Sequence, residues 1–174
     1  MSEIEELITK GNIEIIDCKN QEDFFNKVNE ELKRLDYVES SFLDAIKDRE
    51  KKFPTGLQTN KYCIALNHVD SCHVKVNALF IYKLKNKILY KKMDNPAEEL
   101  PVSYVFVLLI KDHDLQVKAI SGLCKLFTND EFMDSLNKFS SKQDLLNFIK
   151  RKEEQKQWKL FLWHVEVELL LLPQ

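Results

Sequence analysis

The sequence has no basic excess: 26 lysines and arginines stand against 28 aspartates and glutamates. Nucleic acids are bound by a cationic face that displaces counterions from phosphate, so this balance argues against a nucleic-acid partner. Arginine is scarce. Only Arg34, Arg49 and Arg151 occur, which makes each guanidinium a candidate for forked recognition of an anion. Long apolar runs are also missing. No segment reaches the roughly 18 residues that a bilayer span requires, and Met1–Lys10 is acidic and alternating rather than a signal sequence. A cytoplasmic protein without membrane insertion is expected. Cysteine is confined to Cys18, Cys63, Cys72 and Cys124, far apart and in no zinc spacing, so reduced thiols are expected.

What is present suffices for a core. The chain has 174 residues, 44% of them hydrophobic, the size of one domain with at most an appendage. Residues 13–16 suggest a short strand. Asn20 resembles a helix N-cap, with Glu22 and Asp23 in the first turn and Phe24, Phe25, Val28, Leu32 and Leu35 at helical spacing. A second helix runs from about Ser40 to Lys52 and is ended by Pro54. Strands follow at 62–66, at 77–84 and 87–91 around a turn at Asn86, and at 102–110, where a continuous apolar run points to burial on both faces. The stretch 93–101 between the last two is a loop. Helical spacing returns from Leu115 to Phe127, around Phe132–Phe139, and after Ser141 and Asp144 toward Gln157. The order predicts an α/β domain with a mixed sheet covered on both faces. Beyond it, Trp163, Val165 and Val167 alternate with His164, Glu166 and Glu168 as in a half-buried strand, before an apolar run over 169–172. An added edge strand and a partner contact both fit this pattern.

His68 is the candidate for chemistry. It follows the apolar strand Cys63-Ile64-Ala65-Leu66 and opens a polar loop, a junction where a rigid scaffold holds a side chain that still reaches solvent. A metal site built from His68, Cys72 and His73, with His113 as a fourth ligand, matches no common zinc spacing. For a cysteine nucleophile, Cys63 and Cys124 lie in apolar runs where burial is expected, leaving Cys72 as the accessible thiol.

The segment Arg49-Glu50-Lys51-Lys52-Phe53-Pro54-Thr55-Gly56-Leu57 is followed by Ile64-Ala65-Leu66-Asn67-His68-Val69-Asp70 and His73-Val74. Together these resemble the active-site block of the mannitol/fructose-type EIIA proteins of the sugar phosphotransferase system. Met93-Asp94-Asn95-Pro96 and Leu100–Phe106 look most like the galactitol-type branch. The resemblance spans about residues 5–150. It implies a mixed sheet of about five strands flanked by helices on both faces, with residues 1–157 as the EIIA-type domain and 158–174 as a C-terminal extension.

It further implies a cytoplasmic phosphocarrier in which His68 accepts a phosphoryl group from phospho-HPr and passes it to a cysteine of the cognate EIIB. Arg49 would neutralise charge on the phosphoryl oxygens. For the family's second histidine, His113 is the nearest match, one residue out of register with a position falling on or near Asp114. Where the family carries Pro before the active histidine this chain has Asn67, and Val69 stands where the branch often has a hydroxyl. Leu57, Leu66 and Val69 are candidates for a shallow docking surface for HPr and EIIB. No metal, nucleotide or organic cofactor is implied. A regulatory or interaction domain on the same fold is the alternative, since fold alone does not separate these uses.

Overall fold

A computed structural model describes residues 3–170, with side chains described as far as residue 156. The elements are α1 (Glu3–Lys10), β1 (Asn12–Ile16), α2 (Gln21–Arg34), α3 (Phe42–Lys52), β2 (Gly56–Gln58) and β3 (Cys63–His68). After a single 3₁₀ turn at Ser71–His73 come β4 (Ala78–Lys91), β5 (Glu99–Leu109), α4 (His113–Phe127), α5 (Asp130–Ser135) and α6 (Lys142–Leu170). The strands form one five-stranded mixed sheet in the order β1-β4-β5-β3-β2. β1 pairs with β4, and β3 with β5, in parallel; the other pairs are antiparallel.

Alternation along the central strands sends two apolar sets to two faces. Ile64, Leu66, Leu79, Ile81, Tyr104, Phe106 and Leu108 meet Leu7, Leu123, Phe127, Phe132 and Leu145 from α1, α4, α5 and α6. Ala65, Phe80, Tyr82, Val105 and Val107 meet Phe24, Val28, Leu32, Phe42 and Ile46 from α2 and α3. This is the mixed sheet covered on both faces that the pattern predicts, and burial on both sides is why 102–110 reads as an unbroken apolar run.

Several local expectations are corrected. Residues 3–10, read only as not a signal sequence, form α1, whose Leu7 and Ile8 are buried. Asn86 is not a turn. β4 continues through it, absorbing 84–87 as an irregularity opposite β5 between the Lys83–Tyr104 and Ile88–Val102 pairs. The loop before β5 ends at residue 98, because Glu99, Leu100 and Pro101 already pair with β4. Pro101 is tolerated there because β3 pairs with β5 only from Tyr104 onward, leaving one side of Pro101 without a ladder partner. Among the cysteines it is Cys18 that is buried, whereas Cys63 is half-buried and Cys124 exposed. The strand-like alternation at 163–168 lies instead within α6, which runs unbroken through residue 157 to Leu170; Trp158, Phe161, Leu162, Val165 and Leu169 share a helical spacing that competes with the period of two. The remainder of the apolar run, 171–172, lies outside the described residues.

Gly56 brings the segment after α3 against the sheet. It pairs with Ala65 of β3, bridges Lys92 and accepts a hydrogen bond from the Met93 N–H at 2.8 Å. A Cβ at this position would lie 2.5 Å from the Lys91 carbonyl oxygen and 3.2 Å from Tyr90 Cβ, and backbone cannot yield as a flexible side chain does. Gly56→Ala is expected to cost about 2–3 kcal/mol by overpacking, visible as a lower urea midpoint with unchanged slope.

Candidate active site

The last turn of α3 supplies two neighbouring side chains with opposite fates. Phe42, Ile46 and Glu50 follow one another at four-residue spacing and are all buried, so Glu50 is carried into the interior by the stripe that anchors the helix. Arg49, one residue earlier, is half-buried and turns toward the end of the sheet. Pro54 prevents the helix from continuing, and Phe53 leaves the helical region at the C-cap, with φ −137° and ψ 83°.

Arg49 Nη1 donates to the Phe53 carbonyl at 2.8 Å, and its guanidinium carbon lies 4.8 Å from the centre of the Phe53 ring. Nη2 reaches His68 Nε2 at 3.0 Å. On the other side of that imidazole, Nδ1 lies 3.0 Å from the Leu66 carbonyl oxygen. A carbonyl only accepts and a guanidinium only donates, so the hydrogen sits on Nδ1 and the lone pair on Nε2. Burial holds His68 below its ordinary pKa, with the Arg49 charge acting in the same direction and the Leu66 hydrogen bond and Asp70 opposing it. The ring is therefore a neutral, tautomerically fixed imidazole with a single nucleophilic nitrogen. Among the described ion pairs none involves Arg49, so its charge faces no carboxylate partner at bridging distance.

Beside this pair opens a cleft of about 270 Å³ lined by Arg49, Lys52, Phe53, Asp70 and His73 among others. His73 accepts or donates at Nδ1 to Ser41 Oγ, 2.8 Å away. A larger hollow of about 810 Å³ between α5 and α6 contains no histidine or cysteine, so the contact between Arg49 and His68 decides where the chemistry belongs.

Beneath the half-buried pair lies a buried polar network. Glu50 Oε1 accepts the Thr55 N–H at 2.9 Å, and Oε2 accepts the Thr55 hydroxyl at 2.7 Å and Asn67 Nδ2 at 3.0 Å. Asn67 Nδ2 also reaches Thr55 Oγ1 at 3.0 Å, and Tyr90 donates its hydroxyl to Asn67 Oδ1 at 3.0 Å. Asn67 is 1% exposed and Glu50 5%. Burial pushes Glu50 up to about 7, against the hydrogen bonds from Thr55, the Arg49 charge and the Asn67 hydrogen bond.

A carboxyl group that ordinarily titrates near 4.5 and is held at about 7 in the folded chain binds an extra proton on folding between those values. Its stabilisation is complete below 4.5 and is lost as pH rises through 7. Relative to Glu50→Gln, the native chain is expected to lose roughly 2–3 kcal/mol between pH 5 and pH 8. Urea unfolding of the two chains at both pH values checks this; parallel pH dependence would remove Glu50 as the cause.

The structure joins Arg49 to His68 directly. His113 stands exposed in the first turn of α4, after the N-cap Asp112 whose side chain accepts the Leu115 N–H. Among the described residues, the two ring nitrogens of His68 are taken by Leu66 and Arg49, and His113 is not one of their partners. The side chain of that turn which touches the active segment is Gln116, whose Nε2 donates to the Val69 carbonyl at 2.9 Å. Two docking candidates are corrected: Leu66, at 8% exposure, and Val69, at 2%, belong to the two core faces, while Leu57 is half-buried against one of them. Leu66 lies under the helices on one face of the sheet and Val69 under those on the other, and Leu57 pairs with Ile64 at the edge of β3. The exposed apolar side chain next to Arg49 is Phe53, at 62%; its place just before Pro54 hides it from the periodicity of α3. Among the described residues no group of three or more His, Cys, Asp or Glu side chains converges as a metal site, and no helix is long and apolar enough to cross a membrane.

Residues 6–152 match the family model described as phosphoenolpyruvate-dependent sugar phosphotransferase system, EIIA 2. The chain belongs to this family. The galactitol-specific EIIA component of Escherichia coli strain K12 is 22% identical over 130 residues, which cover 75% of this chain and 84% of that protein. Among solved structures, the nitrogen regulatory protein IIA-Ntr of Neisseria meningitidis superposes with a TM-score of 0.67 at 20% identity, over 84% of this chain and 98% of that one. Enzyme IIA of mannitol in complex with phosphorylated enzyme IIB from Escherichia coli gives 0.58 at 18%, over 76% and 91%. These superpositions establish the mannitol-type fold for the EIIA chain. Membership of the family makes it a phosphocarrier component of a sugar phosphotransferase system.

Proposed function

We propose that this EIIA chain carries a phosphoryl group on His68 Nε2, taken from the phosphohistidine of HPr and delivered to a cysteine of a galactitol-like EIIB. The observation that carries the reading is the pair of contacts on one ring: Nδ1–H to the Leu66 carbonyl and Nε2 to Arg49. The lone pair on Nε2 attacks phosphorus while the donor's N–P bond breaks and its electrons return to the donor imidazole. No proton has to leave His68, because the attacking nitrogen carries none. In the next step a cysteine thiolate takes the phosphorus and the electron pair returns to Nε2.

In the resting chain Arg49 Nη2 occupies the line of attack. Arg49 turns aside toward the cleft as the phosphoryl group arrives, and its forked donors then meet the equatorial oxygens. His113, at the same end of the sheet, is proposed as a further donor to those oxygens, and Leu57 together with Phe53 as part of the face that HPr and EIIB touch. Residues 1–157 form the carrier domain and 158–174 an extension of it.

The relation to IIA-Ntr, a nitrogen regulatory protein, keeps a regulatory role as the second reading. Incubation with phosphoenolpyruvate, enzyme I and HPr distinguishes acceptor chemistry from pure binding. The expected result is an acid-labile, base-stable phosphate on the chain, which then moves to EIIB; no label would overturn the carrier reading.

A further inference from the structure

We infer that the buried hydrogen-bond network of Glu50, Thr55, Asn67 and Tyr90 is the device that holds Arg49 and His68 at working distance, with Asn67 and Glu50 as positioning residues. The inference rests on the phosphocarrier reading and adds to it how the two reacting side chains are kept in register.

Glu50 follows Arg49 on α3, and Asn67 precedes His68 on β3, so the hydrogen bond between Asn67 Nδ2 and Glu50 Oε2 ties together the very residues whose neighbours touch at the surface. Arg49 and His68 are 19 positions apart in the chain, and Asn67 and Glu50 are 17 apart; local structure alone holds neither pair. The surface contact is one hydrogen bond between a long, flexible side chain and a half-buried ring, open to water. The inner contact is buried and shared. Thr55 binds both oxygens of Glu50 and also accepts from Asn67, and Tyr90 of β4, fully buried, fixes the remaining oxygen of Asn67.

The groups facing Glu50 are Arg49 on its own helix, Thr55 from the following turn, Asn67 from β3 and the Tyr90 hydroxyl from β4; Tyr90 donates to Asn67. The side-chain polar atoms of the cluster therefore have partners drawn from α3, the turn after it, β3 and β4. A buried carboxyl group is costly unless fully bonded. Apolar packing would fill this space as well, so what the polar set adds is direction: each donor and acceptor is satisfied in one arrangement of α3 against β3. Proline before the histidine would stiffen the backbone only. Asn67 instead ties that backbone to the helix bearing the cation.

The test compares two variants that leave the net charge of the network unchanged. Asn67→Leu deletes the hydrogen bonds. The double variant Glu50→Gln with Asn67→Asp reverses them: the glutamine amide donates to the aspartate and to Thr55 Oγ, the Thr55 hydroxyl donates to the aspartate, the glutamine carbonyl accepts the Thr55 N–H, and Tyr90 keeps an acceptor. Transfer from phospho-HPr is expected to fall about 30-fold in kcat for Asn67→Leu with KM little changed, since misplacement by less than 1 Å costs up to 10²-fold. The reversed pair is expected to stay within about threefold of the native chain.

A second readout needs no transfer. Long-range ¹H–¹⁵N spectra of the His68 ring are expected to show the Nδ1–H tautomer in the native chain and the reversed pair, and a mixture in Asn67→Leu. A folded Asn67→Leu chain with native kcat and a fixed tautomer would overturn the inference, as would a reversed pair that is as impaired as the deletion. Should Asn67→Leu fail to fold, Tyr90→Phe removes only the outermost bond; a several-fold loss of kcat with a mixed tautomer supports the inference, and native values overturn it. If the native chain takes no phosphate, the carrier reading falls while the tautomer comparison still decides the positioning.

Discussion

His68→Ala is expected to abolish phosphate labelling of the chain, a loss of at least about 10³-fold, because the nucleophile itself is removed and no bound water substitutes for a nitrogen that must later return the group. The sequence holds three other histidines, His73, His113 and His164, so the experiment has a real alternative outcome. His73 is half-buried and bonded to Ser41, and His113 is exposed at the start of α4; neither shows the pair of contacts to a carbonyl and a guanidinium that His68 has. Label persisting in the variant would move the acceptor to one of them. The substitution should leave the fold intact, since the His68 ring makes its two bonds at the sheet's exit and belongs to neither core set.

Arg49→Ala is the second large effect. Removing a preorganised cationic donor from a developing charge typically costs 10²–10³-fold, and a loss of that order is expected in single-turnover transfer from phospho-HPr, with Arg49→Lys falling between because an ammonium lacks the fork. A second consequence separates loss of charge from loss of structure. Arg49 donates to the very nitrogen that His68 would protonate and pushes its pKa down, so the alanine variant is expected to titrate His68 at higher pH by ring NMR. Unchanged transfer together with an unchanged titration would take Arg49 out of the mechanism.

Much of this site was legible in local pattern. The α3 stop at Pro54, the apolar strand ending at His68 and the shortage of arginine each point to Arg49 and His68 without coordinates. Two features were not legible, for a shared reason. Glu50 reads as one more charged residue in a helix rich in charge, and only the stripe it shares with Phe42 and Ile46 marks it as interior. Asn67 reads as a substitute turn-former, whereas its side chain is a buried donor whose partner lies on another element. Both meanings are set by long-range contacts that no short window contains. Leu66 and Val69 lie inside because nearness in sequence to a half-buried histidine at the end of a strand does not set burial: Leu66 shares the face of His68 but sits one pleat deeper, under the helices of one core set, and Val69 faces the other. α1 and the helical course of α6 past residue 157 were missed where the apolar pattern fits both periods or the segment is short.

Because β3 and β5 run side by side in the same direction, with His68 paired to Leu108, the segments leaving them emerge at one rim: Val69–His73 from one strand, Ile110–Asp112 from the other. What an incoming protein meets is therefore made largely of connecting chain, while the strands that set the spacing stay beneath it. The exposed residues of that rim, Asp70, Cys72 and Lys111, can be exchanged with little penalty to the packed layers, whereas Val69 and Ile110 are buried in them. Selectivity for one transporter over another can accordingly drift in these connections while the phosphate relay underneath stays the same.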